Sequence, residues 1–215
     1  MIEYLQIFIN IILSYLIGSI SGSMVLGRMK GIDIRKMGSG NAGGTNAFRT
    51  IGPLFALGVI IIDVLKGFVS VKYISSLVFI SSNTFTSDEL IQILCGVGAV
   101  MGHVYPLFYN FKGGKGAGTL IGIVAALFPL KCLIFAILAW LVTLILTGFV
   151  GLGTIIAGIV LAISSFLYSS EIEYFYFSLC MSLFIIFTHR SNIKRMIGGN
   201  ENQFKKIMLF RKIKK

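Results

Sequence analysis

The chain has 215 residues, of which 56% are apolar and only 13% charged, with a formal net charge of +11 and a mean hydropathy of +0.90. A soluble domain carries roughly 25% charged residues, so the composition excludes one and makes lipid the main solvent. At about 20 apolar residues per helical crossing, the length accommodates six or seven spans joined by short loops.

Residues 2–26 lack the basic segment and small-residue cleavage site of a secretory signal, so they read as a retained first helix. Apolar runs between polar breaks predict helices near 4–26, 53–72, 89–106, 116–130, 132–148, 152–169 and 174–189. The fold class is therefore all-α: a bundle of about seven transmembrane helices forming a single domain over 1–215. Pro129 and Lys131 make a tight turn between the fourth and fifth helices. Cys95, Cys132 and Cys180 each fall in an apolar run without paired spacing, which predicts small buried hydrophobes and neither a disulfide framework nor a metal site.

An odd number of spans puts the termini on opposite faces, and the basic residues choose between them. Arg28, Lys30, Arg35, Lys36 and Arg49 lie in the first loop and Lys112 and Lys115 in the third. A short basic tail near 190–215 holds Arg190, Lys194, Arg195, Lys205, Lys206, Arg211, Lys212, Lys214 and Lys215. The opposite face has Lys72 and Lys131 with Glu3, Asp88, Glu89, Glu171 and Glu173. The expected topology is N-terminus outside and C-terminus cytoplasmic. Orientation, plus contact of the tail with anionic lipid, accounts for the charge without nucleic acid. It does not account for the glycines, amides and hydroxyls that accompany the charge in the loops.

Four stretches carry that excess. The first runs from Met37 to Arg49 and contains Ser39, Gly40, Asn41, Gly43, Thr45 and Asn46. Its glycines let the backbone approach an anion, its hydroxyls and amides add donors, and Arg49 adds charge. The second joins Gly102, His103 and Pro106 to Lys112, Gly113, Gly114, Lys115 and Gly116 at the start of the fourth helix, where partial positive charge favours an anion. The spacing is not that of a P-loop. The third, residues 147–154, is a glycine-rich turn ending in Thr154, and such turns are common in membrane bundles. The fourth runs from His189 through Asn192 to Arg195. Glycine-rich loops also serve as ordinary turns and close-packing positions, and a lone histidine is often structural.

Asp63 and Lys66, three apart inside the second helix, are spaced for a mutual ion pair, which is how charges inside a span are usually accommodated. On the cytoplasmic face the only acids are Asp33 and Glu201, which disfavours a carboxylate-held divalent cation. No Ser-His-acid triad is legible.

Taken together, these stretches resemble the bacterial acyl-phosphate:glycerol-3-phosphate acyltransferase family over nearly the whole chain. Its S-G-N-x-G-x-T-N-x-x-R signature matches Ser39, Gly40, Asn41, Gly43, Thr45, Asn46 and Arg49, and its D-x-x-K-G element matches Asp63, Lys66 and Gly67. Its G-H-x-x-P and F-K-G-G-K-G elements match Gly102 to Pro106 and Phe111 to Gly116, and its H-x-x-N-I-x-R element matches His189 to Arg195. Departures fall at Ala42 and Gly44, where proline and alanine are usual. In the third motif Gly148, Phe149, Gly151 and Thr154 stand where a basic residue, Tyr, Ser and Ser are usual.

The resemblance implies transfer of an acyl group from acyl phosphate to glycerol 3-phosphate at a bacterial cell membrane, with the active site facing the cytoplasm and no cofactor or metal. It implies the lipid bilayer as surroundings and a functional link to the enzyme that makes acyl phosphate. Ser39, Arg49, Lys115, His189 and Asn192 are the expected catalytic group. Gly40, Asn41, Gly43, Thr45, Asn46, His103, Lys112, Gly113, Gly114, Gly116 and Thr154 are expected to bind substrate or phosphate. A transporter or flippase for a phosphorylated solute or lipid is the alternative. Against it stand motifs gathered on one face and no sign of an internal repeat.

Overall fold

A computed structural model describes residues 2–78, 87–205 and 207–209. Among the described residues all regular structure is helical. The packing falls into two compact units, residues 1–127 and 128–215.

In the first unit, α1 (Ile2–Gly18) and α2 (Gly22–Met29) meet at a 44° bend. The expected single helix over 4–26 is therefore two. The sequence at the join is Gly18-Ser19-Ile20-Ser21-Gly22, where glycine and serine favour helical geometry less than alanine or leucine and let the chain leave it. Next come α3 (Gly44–Thr50) and α4 (Pro53–Val69), which starts with proline at its first position, where the missing N–H costs nothing. A π-helical turn, Ser70–Ile74, extends α4. α5 (Asp88–Val104) begins with the Ser87 hydroxyl accepting from the Leu90 N–H, and α6 (Ala117–Leu127) closes the unit.

Glycines set the helix spacing in this unit. A Cβ on Gly18 or Gly102 would strike α5 or α1 backbone, and one on Gly98 would lie 2.9 Å from the Ile11 carbonyl oxygen. Gly67 and Gly122 do the same for α4 against α6, facing the backbone of Thr119 and Val64. Such small-residue crossings let backbones approach closely in lipid, where packing rather than water exclusion drives association. Buried Gln6 and Asn10 of α1 donate to the Leu77 carbonyl at 2.8 and 3.3 Å, and Asn10 also reaches Ser75 at 3.1 Å, satisfying carbonyls just past the π-helical turn.

The second unit contains α7 (Leu130–Thr147), α8 (Val150–Tyr168), α9 (Ile172–Thr188) and α10 (Arg190–Ile197). α7 is capped by Gly148 in the left-handed region at φ 72°. α9 and α10 form a second bent pair at 52°. α7 packs on α8 and α8 on α9. Phe128 contacts Tyr174 and Phe177, and the Lys131 ammonium sits 5.5 Å from the Tyr168 ring centre.

Each of the seven expected helices has a counterpart. Four are long and apolar enough to span a bilayer, six if each bent pair is one span. α6 is apolar but has only 11 residues. Cys95 and Cys132 are buried as expected, whereas Cys180 is exposed, because it lies on the α9 face turned away from the helix contacts. The tail is not simply a charged extension: residues 190–197 are helical, and the Phe204 N–H beyond them donates to the Gly148 carbonyl. Lys206 and residues 211–215, expected to touch lipid, lie outside the described residues.

Candidate active site

The first motif is a loop shaped by one buried side chain. Asn46, 2% exposed, accepts from the Ser39 N–H at 2.9 Å through Oδ1 and donates through Nδ2 to the carbonyls of Ile34 and Met37 at 3.2 and 3.0 Å. Gly38 and Gly40 take positive φ, and any Cβ on Gly38 would strike the Asn46 amide. Ser39 and Gly40 are left exposed, with Asn41, Gly43, Thr45 and Arg49 partly buried around them. Asn46 was expected among the substrate-binding residues; both ends of its amide are instead occupied in holding the loop.

Upstream of that loop, Asp33 caps the short 3₁₀ turn Ile34–Lys36. Its carboxylate takes a two-pronged contact from the Arg35 guanidinium, Nε to Oδ1 and Nη2 to Oδ2, both at 3.0 Å, plus the Arg35 N–H. The Arg35 hydrogen bonds lower the Asp33 pKa from the ordinary carboxylate value, and the same pairing raises that of Arg35. The remaining prong, Arg35 Nη1, donates to the Tyr109 carbonyl at 3.0 Å. That bond ties the first loop to the second.

The second loop turns through Leu107–Tyr109, then Asn110 and Phe111 at positive φ. The amides of Gly113 and Gly114, expected to face phosphate, donate instead to the carbonyls of Val104 and His103 at 3.2 and 3.1 Å. They close the loop onto the end of α5. Lys112 is exposed, Lys115 partly buried and Gly116 buried at φ 91°. His103, expected on the binding surface, is 4% exposed: its ring lies under Gly114, where a Cβ would collide with it, and Nδ1 is 3.5 Å from Asp63 Oδ1.

The expected Asp63–Lys66 pair is present at 3.0 Å. It also has a use that spacing alone does not reveal. Asp63 Oδ1 accepts from the Gly22 N–H at 3.3 Å, while Lys66 Nζ donates to the Ile20 carbonyl at 2.9 Å. The pair thus satisfies the backbone on both sides of the α1–α2 bend, a need created by breaking a helix inside a membrane.

In the second unit, Thr154 Oγ1 bonds back to the Val150 carbonyl at 3.0 Å. His189 is buried with Nδ1 at 2.8 Å from the Ile185 carbonyl. Asn192 is buried against Gly151, where a Cβ would come within 2.8 Å of its Nδ2. That Nδ2 donates to Glu201 Oε1 at 3.0 Å, and Arg195 Nε donates to Glu201 Oε2 at 2.6 Å. Sequence reasoning missed Arg35 and Glu201 as organising residues, although a signal was present. Asp33 and Glu201, the acids of the basic first loop and tail, are the ones that pair with arginines. Among the described residues, no three His, Cys, Asp or Glu side chains cluster to hold a metal.

The family model described as "Glycerol-3-phosphate acyltransferase" matches residues 8–199. The chain belongs to this family. Similar members include glycerol-3-phosphate acyltransferases of Aquifex aeolicus, 35% identical with 90% of this chain and 97% of that protein covered, and of Prochlorococcus marinus, 39% identical with 88% and 93% covered. A crystal structure of PlsY (YgiH), an integral membrane glycerol 3-phosphate acyltransferase in its glycerol 3-phosphate form, is similar with a TM-score of 0.80, 31% identity, and 92% and 95% of the two chains covered. Its lysophosphatidic acid form gives 0.79 and 30% over the same shares. The chain is accordingly an integral membrane member of an acyltransferase family.

Proposed function

We propose that the chain, acting as a single domain over 1–215, transfers the acyl group of an acyl phosphate to the primary hydroxyl of glycerol 3-phosphate. The hydroxyl oxygen bonds to the acyl carbonyl carbon, the carbonyl-to-phosphate-oxygen bond breaks, and the hydroxyl proton leaves with phosphate. The products are 1-acyl-glycerol 3-phosphate and inorganic phosphate. Both substrates carry phosphate, and the observation that supports this reading is the Arg35 bridge, which joins two cationic glycine-rich loops in one unit.

In this reading Lys112 and Lys115 hold one phosphate, and Ser39, Thr45 and Arg49 position the other group, on a frame set by Asn46 and His103. Gly40, Asn41, Gly43 and Gly116 shape the loop backbone, and His189 and Asn192 orient the glycerol hydroxyl. A mixed anhydride already has a good leaving group, so alignment and charge stabilisation supply most of the rate. The released phosphate can take the proton, which makes a strong protein base unnecessary. The active site opens to the cytoplasm of a bacterial cell membrane, where the enzyme that makes acyl phosphate supplies the donor.

Purified protein incubated with acyl phosphate and labelled glycerol 3-phosphate should form labelled lysophosphatidic acid. Lys115→Ala should lower turnover by about two orders of magnitude, in line with loss of one charge-stabilising donor. No product from folded wild-type protein would overturn the reading in favour of a transporter, and full turnover by Lys115→Ala would overturn the role of that lysine.

A further inference from the structure

α5 begins with Asp88 and Glu89, two acids that belong among headgroups or in water, and its 17 residues rise only about 25 Å. The hydrocarbon core of a bilayer is about 30 Å thick, and any tilt of the helix widens the shortfall. The apolar stretch that starts with α5 runs on to Tyr109, so the missing length falls on the second loop, at its turn Leu107–Tyr109. The backbone of that turn is tied to α1, to the α1–α2 join and to the 3₁₀ turn of Arg35. The Tyr15 hydroxyl donates to the Tyr105 carbonyl at 2.8 Å, the Leu107 N–H to the Ser19 hydroxyl at 3.2 Å, and Arg35 Nη1 to the Tyr109 carbonyl. Its apolar side chains are left outside: Leu107, Phe108 and Phe111 are 46%, 56% and 55% exposed.

We propose that Leu107, Phe108 and Phe111 enter the bilayer interface at this end of α5 and complete the span, with the upper acyl chains of the leaflet as their partner. A cluster of exposed apolar side chains marks an interaction site for a protein or a membrane. Here the cluster continues an apolar span, so lipid reaches it without a second protein. The backbone favours the same occupant. Phe111 holds φ 57°, a region that a bulky residue enters at a cost, and its N–H is bonded to the Pro106 carbonyl at 3.0 Å. A ring held out on a strained backbone gains nothing in water, whereas in the interface its apolar area is removed from water. Lys112, next in sequence and exposed, is then held at the level of the lipid phosphates. The proposal concerns the membrane surface and stands whether or not the acyltransferase reading does.

The test places a nitroxide at each of Phe108→Cys, Asn110→Cys and Phe111→Cys in a cysteine-free background reconstituted into phosphatidylcholine vesicles. Collisions with oxygen, which concentrates in lipid, are compared with collisions with a water-soluble nickel chelate. The oxygen-to-nickel ratio is expected to be at least about threefold higher at positions 108 and 111 than at 110, whose native side chain is polar. Nickel access at all three positions would overturn the proposal and leave the patch to a soluble protein. Shielding of positions 108 and 111 from both probes would overturn it in favour of a protein contact. Where the labelled variants fall below the wild-type thermal midpoint, Phe108→Trp in the chain with its native cysteines takes their place. Lipids brominated on the upper acyl chain should then quench a larger share of its fluorescence than of wild type, whose one tryptophan is Trp140. Equal lipid quenching in the two proteins, or stronger quenching of the variant by iodide in the water, would overturn the proposal.

Discussion

Each hydrogen-bonding atom of the Asn46 side chain is taken up by loop backbone, and the His103 ring is packed beneath Gly114. Asn46 and His103 sit within motifs rich in donors, and motif spacing cannot distinguish a residue that meets substrate from one that holds the loop that does. The distinction lies in burial and in which atoms are already bonded, both set by chain segments far away in sequence. Asn46→Ala should remove three hydrogen bonds and leave the Ser39 N–H without its partner, while the Ile34 and Met37 carbonyls keep the Met37 and Gly40 N–H groups, at a cost of about 1–3 kcal/mol. Thermal unfolding in detergent reads the loss, and the Michaelis constant for glycerol 3-phosphate should rise more than that for acyl phosphate. Gly151 gives a second prediction. Gly151→Ser should lower activity in this chain by at least tenfold, because the new Cβ would press on Asn192. Equal or higher turnover would show that the two side chains fit together.

At the scale of elements, the places and order of the long apolar helices were legible because apolar runs of bilayer length are the dominant signal in such a chain. The bend between α1 and α2 was not, since Ser19, Ile20 and Ser21 barely interrupt hydropathy and the partners that stabilise the break come from α4. Charge counting assigns the tail to orientation and anionic lipid and gives no partner to its single glutamate, Glu201, which the fold pairs with Asn192 and Arg195. Close helix contacts leave a sharper trace in the form of glycines, although sequence does not say which glycine meets backbone. Gly122 and Gly58 provide the contrast. A Cβ on Gly122 would collide with the Val64 carbonyl, which belongs to a packed helix and cannot move alone, whereas one on Gly58 meets only the tip of the Leu26 side chain at 2.9 Å. Gly122→Ala should therefore destabilise by about 1–3 kcal/mol, and Gly58→Ala should be near neutral, compared by thermal midpoint in the same detergent.

For the whole molecule, the charge bias predicts which way the protein faces. The loops that carry the first and second motifs, together with the tail, hold nearly all the lysine and arginine, and the positive-inside rule assigns them to the cytoplasm. Single cysteines placed at Ser39 and at Asn110 in a cysteine-free background should react with a membrane-impermeant maleimide in inverted vesicles and not in intact cells. Labelling from outside would reverse the topology and remove the proposed access to cytoplasmic substrates.

The capped bend in the first span bears on how the protein is made. Asp63 and Lys66 each carry an insertion penalty of about 2.5–3.5 kcal/mol when presented to lipid on a lone helix, while the first span, alone, would leave the Ile20 carbonyl and the Gly22 N–H without the partners they have here. Each segment holds the groups the other lacks. During synthesis the first span emerges ahead of the second, so the translocon must keep it at hand, unreleased into lipid, until α4 arrives and the two can leave together as a hairpin.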